Sequence, residues 1–354
     1  MTSFDMDTSV DPIAVGRNTY FPITKGNFSG LREFFLPDSS GSVPLSEDVT
    51  SSIPRYIPTN LCSLISAVAE DAVAMLSLDQ PKRIYLYKFF FEEDTKLQSA
   101  WSYWEVSGSK KIIGAAIKGS DLYVLTEYDE DGNSSQSGTY LEKVSLRPEQ
   151  VDPGTEIEIL LDRKVEEPVT AGTYSQSGTT VVVGRFEEGN TLLRHGQVIE
   201  PLSQTSNTIT VLGDLKTVVG GKTPRFFIGE RYTMTYEFST PYIKEQPQGG
   251  GVALAAGPKL QMRTWTVIFD ESSAFELKVT PASRDTNTYP YNGIIVGQSP
   301  PLIGDPSVLT GSFRVPVMTS NIDTKIVISS TSPLPCRFQS AEWEGFYHTR
   351  AKRQ

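Results

Sequence analysis

The chain has 354 residues, 38% of them hydrophobic and 21% charged, and a formal net charge of −10 from 32 basic and 42 acidic side chains. That length leaves room for two or three domains. The acidic balance argues against a general nucleic-acid binder, which would be basic, and with His195 and His348 as its two histidines the chain holds no histidine-rich metal centre.

Cys62 and Cys336 lie far apart, fit no metal spacing, and read as two small buried hydrophobes. Met1-Thr-Ser-Phe-Asp-Met-Asp has neither the basic region nor the apolar core of a signal peptide. No apolar run approaches the ~20 residues of a membrane span. These features predict a soluble chain made in a reducing cytoplasm, without stable membrane insertion.

In chain order, the pattern is β almost throughout. The first sixty residues hold strands near 17–22 and 28–36. Four more follow at 62–69, 72–78, 83–91 and 99–106. In 83–91, Ile84, Leu86 and Lys88 share one face and Tyr85, Tyr87 and Phe89 the other. Four strands in ~40–45 residues is the size of one propeller blade. A second group starts at Lys111, with strands at 112–117, 122–128 and 139–146. Lys118-Gly-Ser-Asp121 forms a turn, and the polar run Asp129 to Gly138 a hairpin connection. The chain therefore holds roughly two and a half blades where a closed propeller takes at least about four.

Residues 147 to 155, with two prolines and a glycine, mark a boundary. Strands in 156–243 are short, with polar turns at Gly189-Asn190, His195-Gly196 and Gly220-Gly221. Residues 246 to 258 read as a flexible linker or long loop. Long strands close the chain, at 259–269, 274–280, 311–318, 324–330 and 336–347. Pro316 inside one of them argues for an edge or bulge. The predicted fold class is all-β, with partial β-propeller blades followed by β-sandwich or β-barrel-like domains. The predicted domains are 1–150, 151–245 and 246–354.

Candidate chemistry is thin. Glu127, Asp129 and Asp131-Gly132-Asn133 alternate like a calcium loop, but Gly138 stands where a calcium hand needs its bidentate acid, so a solvated hairpin loop is the better reading. Glu342 and Glu344 share a strand face around Trp343. That offers two carboxylates and a sugar-stacking ring to a glycan hydrolase, or else two acids paired with Arg350 and Arg353 or with a neighbouring subunit. Trp101 and Tyr103 share one face and Trp104 the other. They read as core between blades, or as the platform of a carbohydrate-binding module. His195 and His348 lack a nucleophile elbow, and Gly249-Gly-Gly251 lacks the Gly-Lys-Ser/Thr of a phosphate loop. The residues alone call for no catalytic site, cofactor or metal.

From Pro333 to Gln354 the chain is written like a packed terminal strand with a basic end. Cys336 and Phe338 alternate with Arg337 and Gln339, then Trp343, Phe346 and Tyr347 crowd together before Arg350, Lys352 and Arg353. So much aromatic area at an end must be buried against its own domain or a partner.

This segment also carries a resemblance. With Val15-Gly-Arg-Asn-Thr-Tyr-Phe21, Gln98-Ser-Ala-Trp-Ser-Tyr-Trp-Glu105, Gly229-Glu-Arg-Tyr-Thr-Met-Thr-Tyr-Glu-Phe-Ser239 and Thr310-Gly-Ser-Phe-Arg-Val-Pro-Val317, in that order, the chain resembles the tail tubular protein B, or tail nozzle, family of short-tailed bacteriophages (podoviruses of the Autographiviridae type). It matches the C-terminal part of that longer family.

The resemblance implies a structural virion protein, not an enzyme, made in the host cytoplasm and carried in the tail. It implies a homohexameric ring below the tail adaptor (tail tubular protein A), with propeller domains outside and a nozzle around the axis. Its partners would be its own copies, the adaptor, the tail fibre protein, and genomic DNA passing through the lumen. A second nozzle polypeptide would supply the missing N-terminal blades. Trp101, Trp104, Trp343, Glu344, Tyr347 and Arg350 are the residues expected to hold the architecture and its interfaces.

Overall fold

A computed structural model describes residues 6–35, 45–92, 95–106, 108–128, 138–147, 151–152, 157–166, 180–185, 194–204, 209–211, 225–245, 253–254, 259–293 and 307–348. The chain divides into two compact units, residues 1–150 with 170–175, and residues 151–169 with 176–354. Its described residues are nearly all β, in several antiparallel sheets.

The first unit consists of three consecutive meanders. The first contains β1 (Ile13–Val15), β2 (Asn18–Lys25), β3 (Phe28–Phe35) and β4 (Leu45–Asp48). The second contains β5 (Leu61–Ala67), β6 (Ala72–Ser77), β7 (Arg83–Glu92) and β8 (Thr95–Glu105). The third contains β9 (Lys111–Lys118), β10 (Asp121–Tyr128) and β11 (Gly138–Ser145). In each, strands pair with their sequence neighbours, as short turns dictate. Gly119 makes the β9–β10 turn at φ 64°, a conformation open to glycine at no steric cost.

The alternation in β7 explains why the meanders stack. Tyr85, Tyr87 and Phe89 point to one side and join Leu61, Leu64, Val73 and Met75 against Val15, Tyr20, Leu31 and Val49 of the first meander. Ile84 and Leu86 point to the other side, with Ile65, Ala74 and Leu76, against Leu122 and Val124 of the third. The second meander is thus buried on both faces. Each large apolar side chain removed from water in this way contributes about 1.5–3 kcal/mol. The leading strands also meet. β5 lies alongside both β1 and β9, and Ser66 Oγ donates to the Ala14 carbonyl oxygen at 2.7 Å.

The second unit begins with a small sheet. Its strands are β12 (Asp162–Glu166), β13 (Thr180–Arg185) and β14 (Val198–Ile199), with β17 (Arg225–Glu230) between β12 and β13. Its core is Ile159, Val181, Val183 and Phe227. Beside it in sequence are the hairpin of β15 (Pro201–Gln204) and β16 (Ile209–Val211) and the short pair β19 (Lys244–Glu245) and β20 (Ala253–Leu254).

The rest is a two-layer sandwich. One layer runs β18 (Met234–Glu237), β25 (Thr324–Ser330), β22 (Phe275–Pro281), β23 (Asn287–Tyr291). The other runs β24 (Leu309–Ser320), β21 (Lys259–Ser272), β26 (Arg337–His348). Trp265, Val267 and Phe269 of β21 meet Phe275, Leu277, Val279, Ile326 and Ile328 between the layers. Pro316 sits on the edge strand β24, where its missing N–H breaks no ladder on the open side. Sequence patterning grouped residues 234–237 with the middle of the chain, yet Met234 to Glu237 pair with Ser330 to Val327. β18 therefore joins the C-terminal sandwich.

Candidate assembly surfaces

The aromatic run of β8 is divided between two cores. Trp101 is half-buried against the first meander. Its indole N–H donates to the Val49 carbonyl oxygen at 3.0 Å, and its ring lies 4.7 Å from Tyr87. Trp104 packs on the opposite core with Ile84 and Leu86. Tyr103 is 43% exposed, with Tyr56 and Tyr85 at 6.0 and 6.2 Å and the Arg83 guanidinium 4.5 Å over its ring. Trp101 is thus committed to internal contacts, and the flat, exposed Trp101–Tyr103 platform of a carbohydrate-binding module is not present.

A buried polar node ties the first two meanders together. The Glu33 carboxylate on β3 is fully buried. It accepts from Asn18 Nδ2 at 2.8 Å, from the Tyr20 hydroxyl, and from the Lys96 ammonium of β8. Lys96 also reaches Glu47 at 3.0 Å. Burial alone would lower the Lys96 pKa, but the bonds to Glu33 and Glu47 outweigh it and hold the ammonium above its ordinary range. Burial, reinforced by the bond to Glu33, pushes the Tyr20 hydroxyl upward as well. Sequence reasoning missed this node, because Glu33 and Lys96 sit in runs that look like ordinary solvated strand faces.

The C-terminal strand divides its residues between the two faces of the outer layer. Trp343 stands opposite Trp265 and packs into the sandwich core with Phe338 and Ala341. Tyr347 stands opposite Leu260 and is half-buried. Glu342 and Glu344 point the other way and are exposed. Glu344 pairs with Arg314 of β24, and Thr264 Oγ1 lies 3.4 Å away. The sequence offered Arg350 and Arg353 as partners for these acids, and among the described residues Arg314 pairs with Glu344. Arg350, Lys352 and Arg353 lie outside the described residues. The sequence also offered Trp343 as a sugar-stacking ring beside two catalytic acids. The ring and the carboxylates are on opposite faces of the layer, so no sugar can touch all three. Of the aromatic end, Phe346 remains 56% exposed.

A second buried cluster lies in the second unit. The Asp152 carboxylate accepts from the Ile159 N–H at 2.7 Å and the Lys164 ammonium at 2.8 Å, and His195 Nε2 stands 3.7 Å away. His195 Nε2 also lies 3.1 Å from the Ile157 carbonyl oxygen. Burial lowers the His195 pKa against the partial compensation of Ile157 and Asp152. His195, placed by the sequence at a polar turn, has its ring largely buried there. The turn was legible in His-Gly, the acid facing it was not.

The cysteines divide. Cys336 is half-buried, with its thiol pushed up by burial, whereas Cys62 is exposed, contrary to expectation, because it falls on the outward side next to the β5 register shift. The acidic loop at 129–137 and Gly249–Gly251 lie outside the described residues. Among the described residues no cluster of three or more His, Cys, Asp or Glu is placed to hold a metal ion. No described helix is long and apolar enough to cross a membrane.

The cores explain why the aromatic motifs lie where they do, and comparison with known proteins places them in a lineage. Tail tubular protein gp12 of Escherichia phage T7 is 25% identical over 365 residues, covering 99% of this chain and 44% of that protein. The chain thus spans less than half the length of the curated relative it matches. Two structures of an exo-β-1,3-galactanase from Phanerochaete chrysosporium align over 92% and 97% of this chain and 77% and 98% of theirs. They do so at 8% and 9% identity, with TM-scores of 0.18 and 0.20, a likeness that carries no argument. The profile of the bacteriophage nozzle protein family matches residues 1–354, and the chain belongs to that family.

Proposed function

We propose that this chain is a structural component of a bacteriophage tail, with a mechanical and electrostatic role and no chemical step of its own. The observation that carries this reading is the family match over the whole chain. The fold is consistent with it, since the polar clusters at Glu33, Asp152 and Glu344 are internal or surface ion pairs that tie elements together.

In this reading six copies form a ring below the tail adaptor (tail tubular protein A), and the ring helps to hold the tail fibre protein. Residues 1–150 supply propeller-type blades. Residues 151–245, apart from β18, supply a small β domain with loops near the axis, and 246–354 together with β18 the long-stranded C-terminal domain. Stacked meanders whose leading strands adjoin support the blade assignment. In this reading the three meanders join further blades, supplied by a second nozzle polypeptide, in a propeller of about four or more. Genomic DNA passes through the lumen, and the net charge of −10 keeps phosphates from adhering. The assembly resides in the virion tail after synthesis in the host cytoplasm.

The test is the native mass of the isolated chain and of the same chain released from tails. Six copies, alone or with a second chain, is the expected result. A stable monomer in both preparations would overturn the ring.

A further inference from the structure

We propose that Asn18, Glu33 and Lys96 form a self-modification site, at which the Lys96 amine displaces ammonia from the Asn18 carboxamide and joins β8 to β2 through an isopeptide bond. The reaction is one self-joining step within the chain, not turnover of a substrate. It does not rest on the nozzle reading, and its failure would leave that reading standing.

The three side chains come from three strands and meet inside the fold. Asn18 and Tyr20 share one face of β2, and Glu33 stands opposite Tyr20 on β3. The Glu33 carboxylate lies between the other two groups, with one oxygen for each. Oε1 accepts from Asn18 Nδ2 at 2.8 Å, and Oε2 accepts from the Lys96 ammonium. The carboxamide is thus turned so that its nitrogen, the leaving group, faces the acid. Asn18 is 8% exposed, Glu33 is fully buried, and the Lys96 side chain is 16% exposed. The surroundings are aromatic. Tyr20 donates to Glu33 Oε1 and packs on Tyr87 and Phe89, and Lys96 Nζ lies 5.5 Å over the Phe91 ring. An ion pair needs only Lys96 and Glu33. A buried carboxamide with its nitrogen on the same carboxylate supplies the third group of an acyl transfer.

Lysine is a nucleophile only as the free amine. At rest the bonds to Glu33 and Glu47 keep Lys96 protonated. Burial penalises both charges of the Lys96–Glu33 pair, which brings its neutral form, an amine beside a carboxylic acid, within reach. Glu33 takes a proton from Nζ. The freed lone pair forms a bond to Asn18 Cγ, and the C=O electron pair moves to Oδ1. Glu33 then gives a proton to Nδ2, the pair returns from Oδ1, and the Cγ–Nδ2 bond breaks. Nζ keeps one of its three protons. The other two pass through Glu33 and leave with the departing nitrogen as ammonium, so atoms and charge balance without oxidant, metal or cofactor. Fixed neighbours replace a bimolecular encounter, and burial keeps water from competing for the amide. Chains that have not reacted retain the ion pair.

The test is the intact mass of the full chain when freshly purified, after prolonged incubation, and when released from tails. The expected result is a form lighter by the mass of one ammonia, about 17 Da. Proteolysis should yield a branched peptide joining the segments that hold Asn18 and Lys96, and the joined chain should run faster on a denaturing gel. Glu33→Gln and Lys96→Arg should both keep the full sequence mass. Lys96→Arg leaves a cation on Glu33, so it removes the amine from a chain that still folds, which a thermal melt would verify. The full sequence mass in all three wild-type samples would overturn the proposal. So would a light form that persists in Lys96→Arg, since that loss would be a succinimide elsewhere, or a gain of about 1 Da at Asn18, since water would then have reached the amide in place of Lys96. A light form in Glu33→Gln would overturn the role of Glu33 as the proton carrier.

Discussion

The Lys96 ammonium on β8 closes on the buried Glu33 carboxylate of β3, so one ion pair spans two meanders. Replacing the acid leaves a mostly buried ammonium with Glu47 alone. Removing one member of such a pair costs more than the pair contributes, because the survivor stays desolvated. Glu33→Gln is expected to destabilise the first unit by about 2–4 kcal/mol. Urea unfolding followed by tryptophan fluorescence would read it, since Trp101 and Trp104 lie in the same packing. A loss under about 0.5 kcal/mol would show the node to be ornamental.

The same node sets an alkaline limit. Lys96 and Tyr20 both hold their protons more tightly in the fold than in the open chain. At high pH the folded state therefore binds more protons than the unfolded one, and stability falls as pH rises. The loss begins near the unfolded values, about pH 10, and is absent at neutral pH. Thermal melts from pH 8 to 11 should show it. In Tyr20→Phe the decline should be shallower, with one of the two groups gone.

His195 acts in the opposite direction. Its folded pKa lies below its ordinary value, so the unfolded chain takes up its proton first as pH falls. Stability of the second unit should decline below about pH 6.5. Asp152, Lys164 and Arg185 are the charged groups that act on it. His195→Gln should flatten the decline between pH 6.5 and 5, measured by hydrogen exchange of the strand at 180–185. An unchanged slope would assign the decline to other groups.

Gly345 is a steric requirement. A Cβ there would sit 2.5 Å from the Gln261 carbonyl oxygen, a backbone atom that cannot turn aside. The position lies beside the register shift at Met262 and Thr264, where the two long strands crowd together. Gly345→Ala should cost about 1–3 kcal/mol by overpacking and shift the Trp343 emission, since that ring packs two residues away. A neutral result would mean that β26 can slide at this point.

What could be read from sequence was what alternation fixes. Tyr85, Tyr87 and Phe89 against Ile84 and Leu86 showed two buried faces in β7, and Pro316 showed an edge. β1 was missed because it is short. β4 was missed because Leu-Ser-Glu-Asp reads as loop, and β23 because Asn-Thr-Tyr-Pro-Tyr carries a proline. β18 is Met-Thr-Tyr-Glu, and its pairing with β25 across about ninety residues leaves no local trace. Among the site residues, the division of Trp101 and Trp104 followed from their spacing. The partner of Glu344 did not, because Arg314 is brought to it by β21, a strand that neither residue belongs to.

The layout of the outer layer bears on how the chain is made. β21, of 14 residues, is its central strand, and one of its two edges is filled by β26, which begins at Arg337. A ribosome that has just extruded β21 must deliver more than sixty further residues before that edge is satisfied. During this interval the longest described strand presents open amide and carbonyl groups to every neighbouring nascent chain. The sandwich must therefore close after synthesis has passed it. Translation stalled anywhere between 273 and 336 would yield a sticky fragment in place of a shortened but soluble one.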